Sequence, residues 1–273
     1  MIWSCLPVSL FPQIIGGKMQ VGEWAVAARD MGMDAIDLSI LFIPHRTITA
    51  VEGIKKQLRD VGMPVAMITT YPDFTQPDPL MRERELAHAV SDIAIAAELG
   101  AKYLRITAGQ AHPRLSDDEG VRLASEGIAR CCPYAQRWGV ELLLENHSKP
   151  SAWELPDFNF HTGRFLKLVD AIQELPVSIN FDTANTYALG DDAPAVFNKV
   201  YDKVASIHVN DIADCARLEF VGIGEGTAPI GEIFHIAKER GFDGLLSIEE
   251  VGSAGLEGIE QSFKRSKALW EQA

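Results

Sequence analysis

The chain has 273 residues, 25 Lys+Arg against 38 Asp+Glu, a formal net charge of −13, 47% hydrophobic and 23% charged residues. This is the balance of a folded globular protein, because so much apolar surface can offset the entropy of ordering. The acidity argues against a nucleic-acid partner, which needs basic surface, and no apolar run reaches the roughly 18–20 residues of a membrane span. Met1-Ile2-Trp3-Ser4-Cys5 places no basic segment before an apolar one, so the start does not read as a secretory signal and the expected compartment is cytoplasmic. The four cysteines, at 5, 131, 132 and 215, include no CxxC spacing and read as thiols rather than a zinc knuckle.

In chain order, short β-rich runs alternate with helical patterns. Strands are expected at 4–10, 35–39, 64–69, 103–106, 141–145, 177–182, 204–209 and 245–249. Helices are expected at 22–31, 47–61, 79–99, 116–138, 161–174, 193–200, 229–240 and 256–271. Gly32, Gly62, Gly100, Gly139 and Gly241 fall where helices should stop, and Ser116-Asp117-Asp118-Glu119 reads as a cap with an acidic first turn. Strands that alternate with helices run parallel with crossover connections. Eight such units in this length predict a (β/α)8 TIM barrel, a single domain over residues 1–273. The first strand lacks the glycine-rich turn of a dinucleotide fold. Gly222-Ile223-Gly224-Glu225-Gly226 is expected to be a flexible loop after strand seven.

Four of the expected strands end in a good metal ligand: Glu145, Asp182, His208 and Glu249. Side chains alternate along a strand. Leu143, Asn180, Ser206 and Ser247 share the ligand parity, while Leu142, Leu144, Ile179, Phe181, Ala205, Ile207, Leu246 and Ile248 have the opposite, apolar one. The ligand parity is the one that suits a barrel interior, and it selects Glu249 over Glu250. No basic residue lies at these four strand ends, so a divalent cation is the expected partner of the acids. Three oxygens and one imidazole suit Mn²⁺ first, with Mg²⁺, Co²⁺ or Zn²⁺ also compatible.

The runs Glu145-Asn146-His147, Asn180-Phe181-Asp182-Thr183-Ala184-Asn185, His208-Val209-Asn210-Asp211, Gly224-Glu225-Gly226 and Ser247-Ile248-Glu249-Glu250 resemble the xylose-isomerase-like TIM-barrel superfamily. Within it they are most similar to the sugar phosphate isomerase/epimerase group. The resemblance implies one divalent metal, often Mn²⁺, on Glu145, Asp182, His208 and Glu249. It implies proton transfer by Glu145 and Glu249. Where ketose 3-epimerases of that group place a histidine, this chain has Asn185. They also carry an arginine in the loop after the metal histidine, where this chain has Arg217 in different surroundings.

The expected activity is isomerisation or epimerisation of a small sugar, keto-polyol or keto-sugar through an enediolate, with dehydration or lysis of a keto-sugar, keto-glycoside or dehydroshikimate-like substrate as the alternative. An endonuclease IV-like repair enzyme shares the barrel but needs more histidines and a basic groove. Expected substrate contacts are Tyr71, His112, His147, Asn185, Asp211 and Arg217, with Phe74 beside Tyr71 as an apolar wall and Lys149 in a long loop, 146–160, able to act as a lid. The substrate is expected to be uncharged, since Glu219, Glu225, Glu249 and Glu250 surround the loops where a phosphate would sit. A homo-oligomer stays open.

Overall fold

The computed structural model describes residues 1–148, 150, 153–252 and 255–273. Eight parallel strands form a nearly closed (β/α)8 barrel: β1 (Ile2–Leu6), β2 (Ile36–Ser39), β3 (Val65–Thr69), β4 (Tyr103–Ile106), β5 (Glu141–Glu145), β6 (Val177–Asp182), β7 (Val204–Val209) and β10 (Leu245–Glu249). Between the last two lies an antiparallel hairpin, β8 (Asp211–Asp214) and β9 (Arg217–Val221). Helices α1 (Phe11–Ile15), α2 (Val21–Asp30), α3 (Ile48–Val61), α4 (Pro79–Glu98), α5 (Asp117–Trp138), α6 (Thr162–Ala171), α7 (Ala193–Val200), α8 (Ile230–Glu239) and α9 (Gly255–Gln272) follow the strands. Among the described residues no helix is long and apolar enough to cross a membrane.

The ladder runs β1-β10-β7-β6-β5-β4-β3-β2. At the seam between its two ends, the Asp34 and Ala35 N–H groups donate to the Trp3 carbonyl at 3.0 and 3.2 Å. The Asp34 carboxylate accepts the Trp3 N–H at 2.9 Å. One register shift matters for the site. Between Ile179 and Asn180 the pairing slips by a residue, so that Asn180 lies opposite Ser206 and Asp182 opposite His208. A bulge of this kind re-aims side chains along a strand.

The interior is layered. Ala35, Met67, Tyr103, Leu143 and Leu245 form a small apolar cluster separate from the main core. Above it Ser4, Asp37, Arg105, Asn180, Ser206 and Ser247 are all fully buried. Leu142, Leu144, Ile179, Phe181, Ile207, Leu246 and Ile248 join the main core with the helices, as their parity requires.

Two expectations need correction. The first strand spans Ile2–Leu6, not 4–10, because Pro7 has no amide hydrogen to continue the ladder and the chain turns at Val8–Leu10 into α1. The glycine-rich run is not a free loop. Gly224 and Gly226 donate their N–H groups to Asp211 Oδ2 at 2.9 and 3.0 Å, and Ala228 donates to Oδ1 at 3.0 Å. A Cβ on Gly226 would stand 2.0 Å from the Ile212 carbonyl oxygen, so this close approach needs glycine.

Candidate metal centre and adjoining cavity

β5, β6, β7 and β10 deliver Glu145, Asp182, His208 and Glu249 to one point, each buried, with one ligand atom apiece within 4.8 Å of all the others. His208 Nδ1 is 2.7 Å from Glu145 Oε1 and 3.7 Å from Glu249 Oε2. The surrounding amides hold the acids in place. The Asn210 side-chain amide donates to Asp182 Oδ2 at 3.3 Å and to Glu249 Oε2 at 3.2 Å. Ala184 and Asn185 N–H groups donate to Asp182 Oδ1 at 2.8 and 2.7 Å. The Asn146 amide brackets the Asp182 backbone, accepting its N–H at 2.7 Å and donating to its carbonyl at 3.0 Å.

A cation does reach the acids, from a strand that was not among the four. Arg105, in the middle of β4 and fully buried, places Nε 2.8 Å from Glu145 Oε2. The contact is an ion pair whose angle falls short of a hydrogen bond, so both atoms are left without hydrogen-bond partners. The guanidinium also donates to the Thr70 carbonyl at 3.3 Å and lies 4.8 Å from the centre of the Tyr71 ring.

The electrostatics divide the acids. Burial alone would raise Glu145, but the charges of His208 and Arg105 overcome it and hold the carboxyl at about 2. Burial pushes Asp182 well above the usual carboxylate range, and Glu249 and Glu145 add to that. Burial also raises Glu249. Burial works against a charged His208, yet Glu145 and Glu249 raise it to about 9. With His208 neutral, as a metal ligand must be, three carboxylates and one guanidinium leave two uncompensated negative charges in a buried space. His208 Nε2 is buried without a partner. The donor set and this charge fit a divalent cation.

A cavity of about 200 Å³ opens beside these residues. Arg105, His147, Ser148, Asn185 and Glu249 form its polar side, and Val8, Phe11, Leu41, Tyr71, Phe220 and Val251 its apolar side. Glu249 therefore borders the cavity, whereas Glu145 is enclosed behind it. His147 Nδ1 stands 3.5 Å from the fully buried Asp157 Oδ2. Burial and then the Arg105 charge pull the His147 imidazole down to about 3, which keeps it neutral. Burial raises Asp157 well above the carboxylate range.

Of the expected substrate contacts, Tyr71, His147 and Asn185 line this cavity. His112, Asp211 and Arg217 lie elsewhere. His112 Nε2 is 2.9 Å from Asp73 Oδ2, in a cluster with Gln110 and Thr75. Asp211 is buried, its carboxylate spent on the backbone of the glycine-rich run. Arg217 faces solvent on the hairpin and pairs with Glu219. Phe74 is not a wall either; it packs in the core against Gly127 of α5. In the expected lid loop, Lys149 lies outside the described residues, and the far end is tied to the loop after β4: Phe158 N–H donates to Gly109 O at 2.6 Å, Ala111 N–H to Pro156 O at 2.9 Å. The residues that sequence reasoning missed are Phe11, Leu41, Phe220 and Val251 on the apolar side, and the site role of Arg105.

The model of the xylose isomerase-like TIM barrel family matches residues 25–269, and the chain belongs to that family. It is 24% identical over 225 residues to an inosose dehydratase of Lacticaseibacillus casei, covering 75% of this chain and 73% of that protein. It is 23% identical over 236 residues to a fructoselysine 3-epimerase of Shigella flexneri, covering 82% and 83%. Among solved structures, the IOLI protein with a zinc atom superposes with a TM-score of 0.80 at 13% identity, over 100% of this chain and 99% of that one.

Proposed function

We propose that this chain is a divalent-metal-dependent enzyme that moves a proton at the carbon beside the carbonyl of a small keto-sugar or keto-polyol, giving epimerisation or isomerisation. The observation that carries this is the convergence of Glu145, Asp182, His208 and Glu249 at the edge of a small cavity. Those four residues would hold the cation, which when bound would polarise the carbonyl and make the neighbouring C–H acidic. Zinc in the IOLI structure supports a metal here; Mn²⁺ is the ion we favour. Glu249 borders the cavity and is placed to exchange a proton with a bound molecule. Glu145, enclosed and ion-paired with Arg105, serves mainly to hold the centre together. Tyr71, His147 and Asn185 orient the substrate.

A second reading has its own observation. His147 enters the cavity with Asp157 behind it, a further proton-transfer group set apart from the carboxylates. Such a group can protonate a departing hydroxyl, which turns proton abstraction into elimination. The dehydratase among the relatives supports this reading, and the epimerase supports the first. Net positive groups are committed elsewhere, Arg105 to Glu145 and Arg217 to Glu219, which favours an uncharged substrate over a phosphate. The test is an NMR screen of ketoses, inososes and 3-keto-glycosides in D₂O with added Mn²⁺. Deuterium uptake at the carbon beside the carbonyl supports proton transfer, loss of a hydroxyl supports elimination, and neither across the panel sinks both.

A further inference from the structure

The apolar side of the cavity does not end at its own wall. Leu41, 37% exposed, lines both the cavity and a second, larger groove of about 480 Å³ between α1, α2 and α3. The groove is floored by Ile14, Met19, Val21, Phe42, Ala50 and Ile54. Phe11 on the cavity side packs edge-on against Phe42 on the groove side, with ring centres 4.8 Å apart. Leu41 and one aromatic pair thus form the partition between the two spaces.

We propose that this groove is a subsite for an apolar substituent of the substrate, an aryl or alkyl group carried on the sugar ring, which passes over Leu41. The proposal rests on the carbohydrate reading of the neighbouring site and narrows its substrate class. A free hexose or polyol carries a hydroxyl on nearly every carbon, and each buried hydroxyl needs a partner. Here the polar partners sit on one side of the cavity only, at Glu249, His147, Asn185 and Ser148. The opposite side, from Val8 and Phe11 to Phe220, offers hydrocarbon and no hydrogen-bonding side chain except the Tyr71 hydroxyl. The molecule that matches is two-faced, with a polar reacting edge and an apolar distal edge. The cavity's about 200 Å³ lies below the roughly 300–1,000 Å³ of sites for larger ligands, so a bulky substituent has to leave it, and Leu41 borders the space it would enter.

Gly53 of α3 lines the groove, and a Cβ at this helical position meets open space. Gly53→Trp therefore fills the groove from an exposed helix position where glycine is a poor helix former. The experiment is calorimetric titration of phenyl β-D-glucopyranoside and methyl β-D-glucopyranoside into the intact protein and into Gly53→Trp, with sedimentation velocity and circular dichroism on both. The wild type is expected to bind the phenyl compound at least about tenfold more tightly, about 1.4 kcal/mol. Gly53→Trp should abolish that preference while the affinity for the methyl compound stays within about twofold. Equal affinities in the wild type, no binding of the phenyl compound, or a preference that survives Gly53→Trp overturns the proposal. A change of oligomeric state in Gly53→Trp with the preference intact identifies the groove as an interface between copies, which also overturns it. Because the readout is binding, a phenyl preference stands even where no keto-sugar is turned over, and turnover with equal affinities sinks the subsite alone.

Discussion

β5, β6, β7 and β10 end in Glu145, Asp182, His208 and Glu249, whereas the turns after β1 and β2 present Val8, Phe11 and Leu41 to the same cavity. The charged half is built on strand ends, where the ladder fixes each side chain, and its groups are cross-braced by Asn146, Asn210 and Arg105. The apolar half is built on short turns and on a hairpin, with Phe220 coming from β9. Reaction chemistry needs fixed geometry, which strands provide. Recognition of a substituent needs shape, which loops can vary without disturbing the barrel.

The largest effect should follow from removing a ligand on the charged half. Purified protein supplied with Mn²⁺ is expected to hold about one ion per chain. Asp182→Asn and His208→Ala should leave most chains empty, and unchanged occupancy by elemental analysis in both variants would remove the metal assignment. Arg105 comes next. Arg105→Met leaves Glu145 buried without its cation and should destabilise the fold by about 3–5 kcal/mol, read as a shift in the denaturant midpoint. A loss under about 1 kcal/mol would mean that the ion pair with Glu145 contributes little in solution. Glu249→Gln should lower turnover by at least about 10²-fold, the low end for a group that transfers a proton. Glu250 is absent from the ligand group; an active Glu249→Gln beside a dead Glu250→Gln would reverse the choice between the two neighbours.

How much of this was legible depended on where a polar residue fell in its strand. Glu145, Asp182, His208 and Glu249 stood out because each closes a nearly continuous apolar strand, and the alternation then predicts a common direction. Arg105 carried a signal that was available: Tyr103-Leu104-Arg105-Ile106 puts a charge in the middle of a buried strand, and such a charge requires a partner. Which partner it finds depends on strand pairing. Arg105 lies opposite Leu143, two residues before Glu145, and only a side chain of its length spans that step. Asp211 was misplaced as a substrate contact because a carboxylate in a loop after a barrel strand looks the same in sequence whether it meets a ligand or three backbone N–H groups. The β8–β9 hairpin was missed since neither of its short strands shows a sustained alternation. The apolar wall had no signal at all, because Val8, Phe11 and Leu41 belong to turns whose hydrophobic residues read as ordinary core.

Proton competition separates the halves further. Ligands must be deprotonated to bind a cation, and burial raises both Asp182 and Glu249, so loading releases protons and Mn²⁺ affinity should weaken from pH 8 to pH 6. Titrations in buffers of different ionisation enthalpy check this; a pH-independent affinity with no proton release would contradict it.

The smallest effect concerns Asp37, a carboxylate as buried as Glu145 but on β2, outside the ligand group. Asp37 accepts hydrogen bonds from Ser4 Oγ at 2.7 Å, from the Met67 N–H at 3.1 Å and from Ser247 Oγ. Burial nevertheless raises its pKa, and the three hydrogen bonds with the charge on His208 only reduce the rise. Glu145 shows the opposite outcome because a guanidinium and an imidazole face it directly. The sign of the linkage follows. A carboxyl whose folded pKa lies above its unfolded value binds its proton more tightly when folded, so its contribution is complete below the unfolded pKa and is lost as pH rises through the folded one. Asp37→Asn removes that loss. The amide Oδ1 still accepts the Met67 N–H, and the Ser4 and Ser247 hydroxyls can turn to accept from the amide nitrogen. In chelator-treated protein, the stability of Asp37→Asn relative to the wild type should therefore improve steadily from pH 4 to pH 7 in urea unfolding. A difference that is flat, or that moves against the variant as pH rises, would show that the hydroxyls and the distant imidazole keep Asp37 charged as readily as Arg105 and His208 keep Glu145.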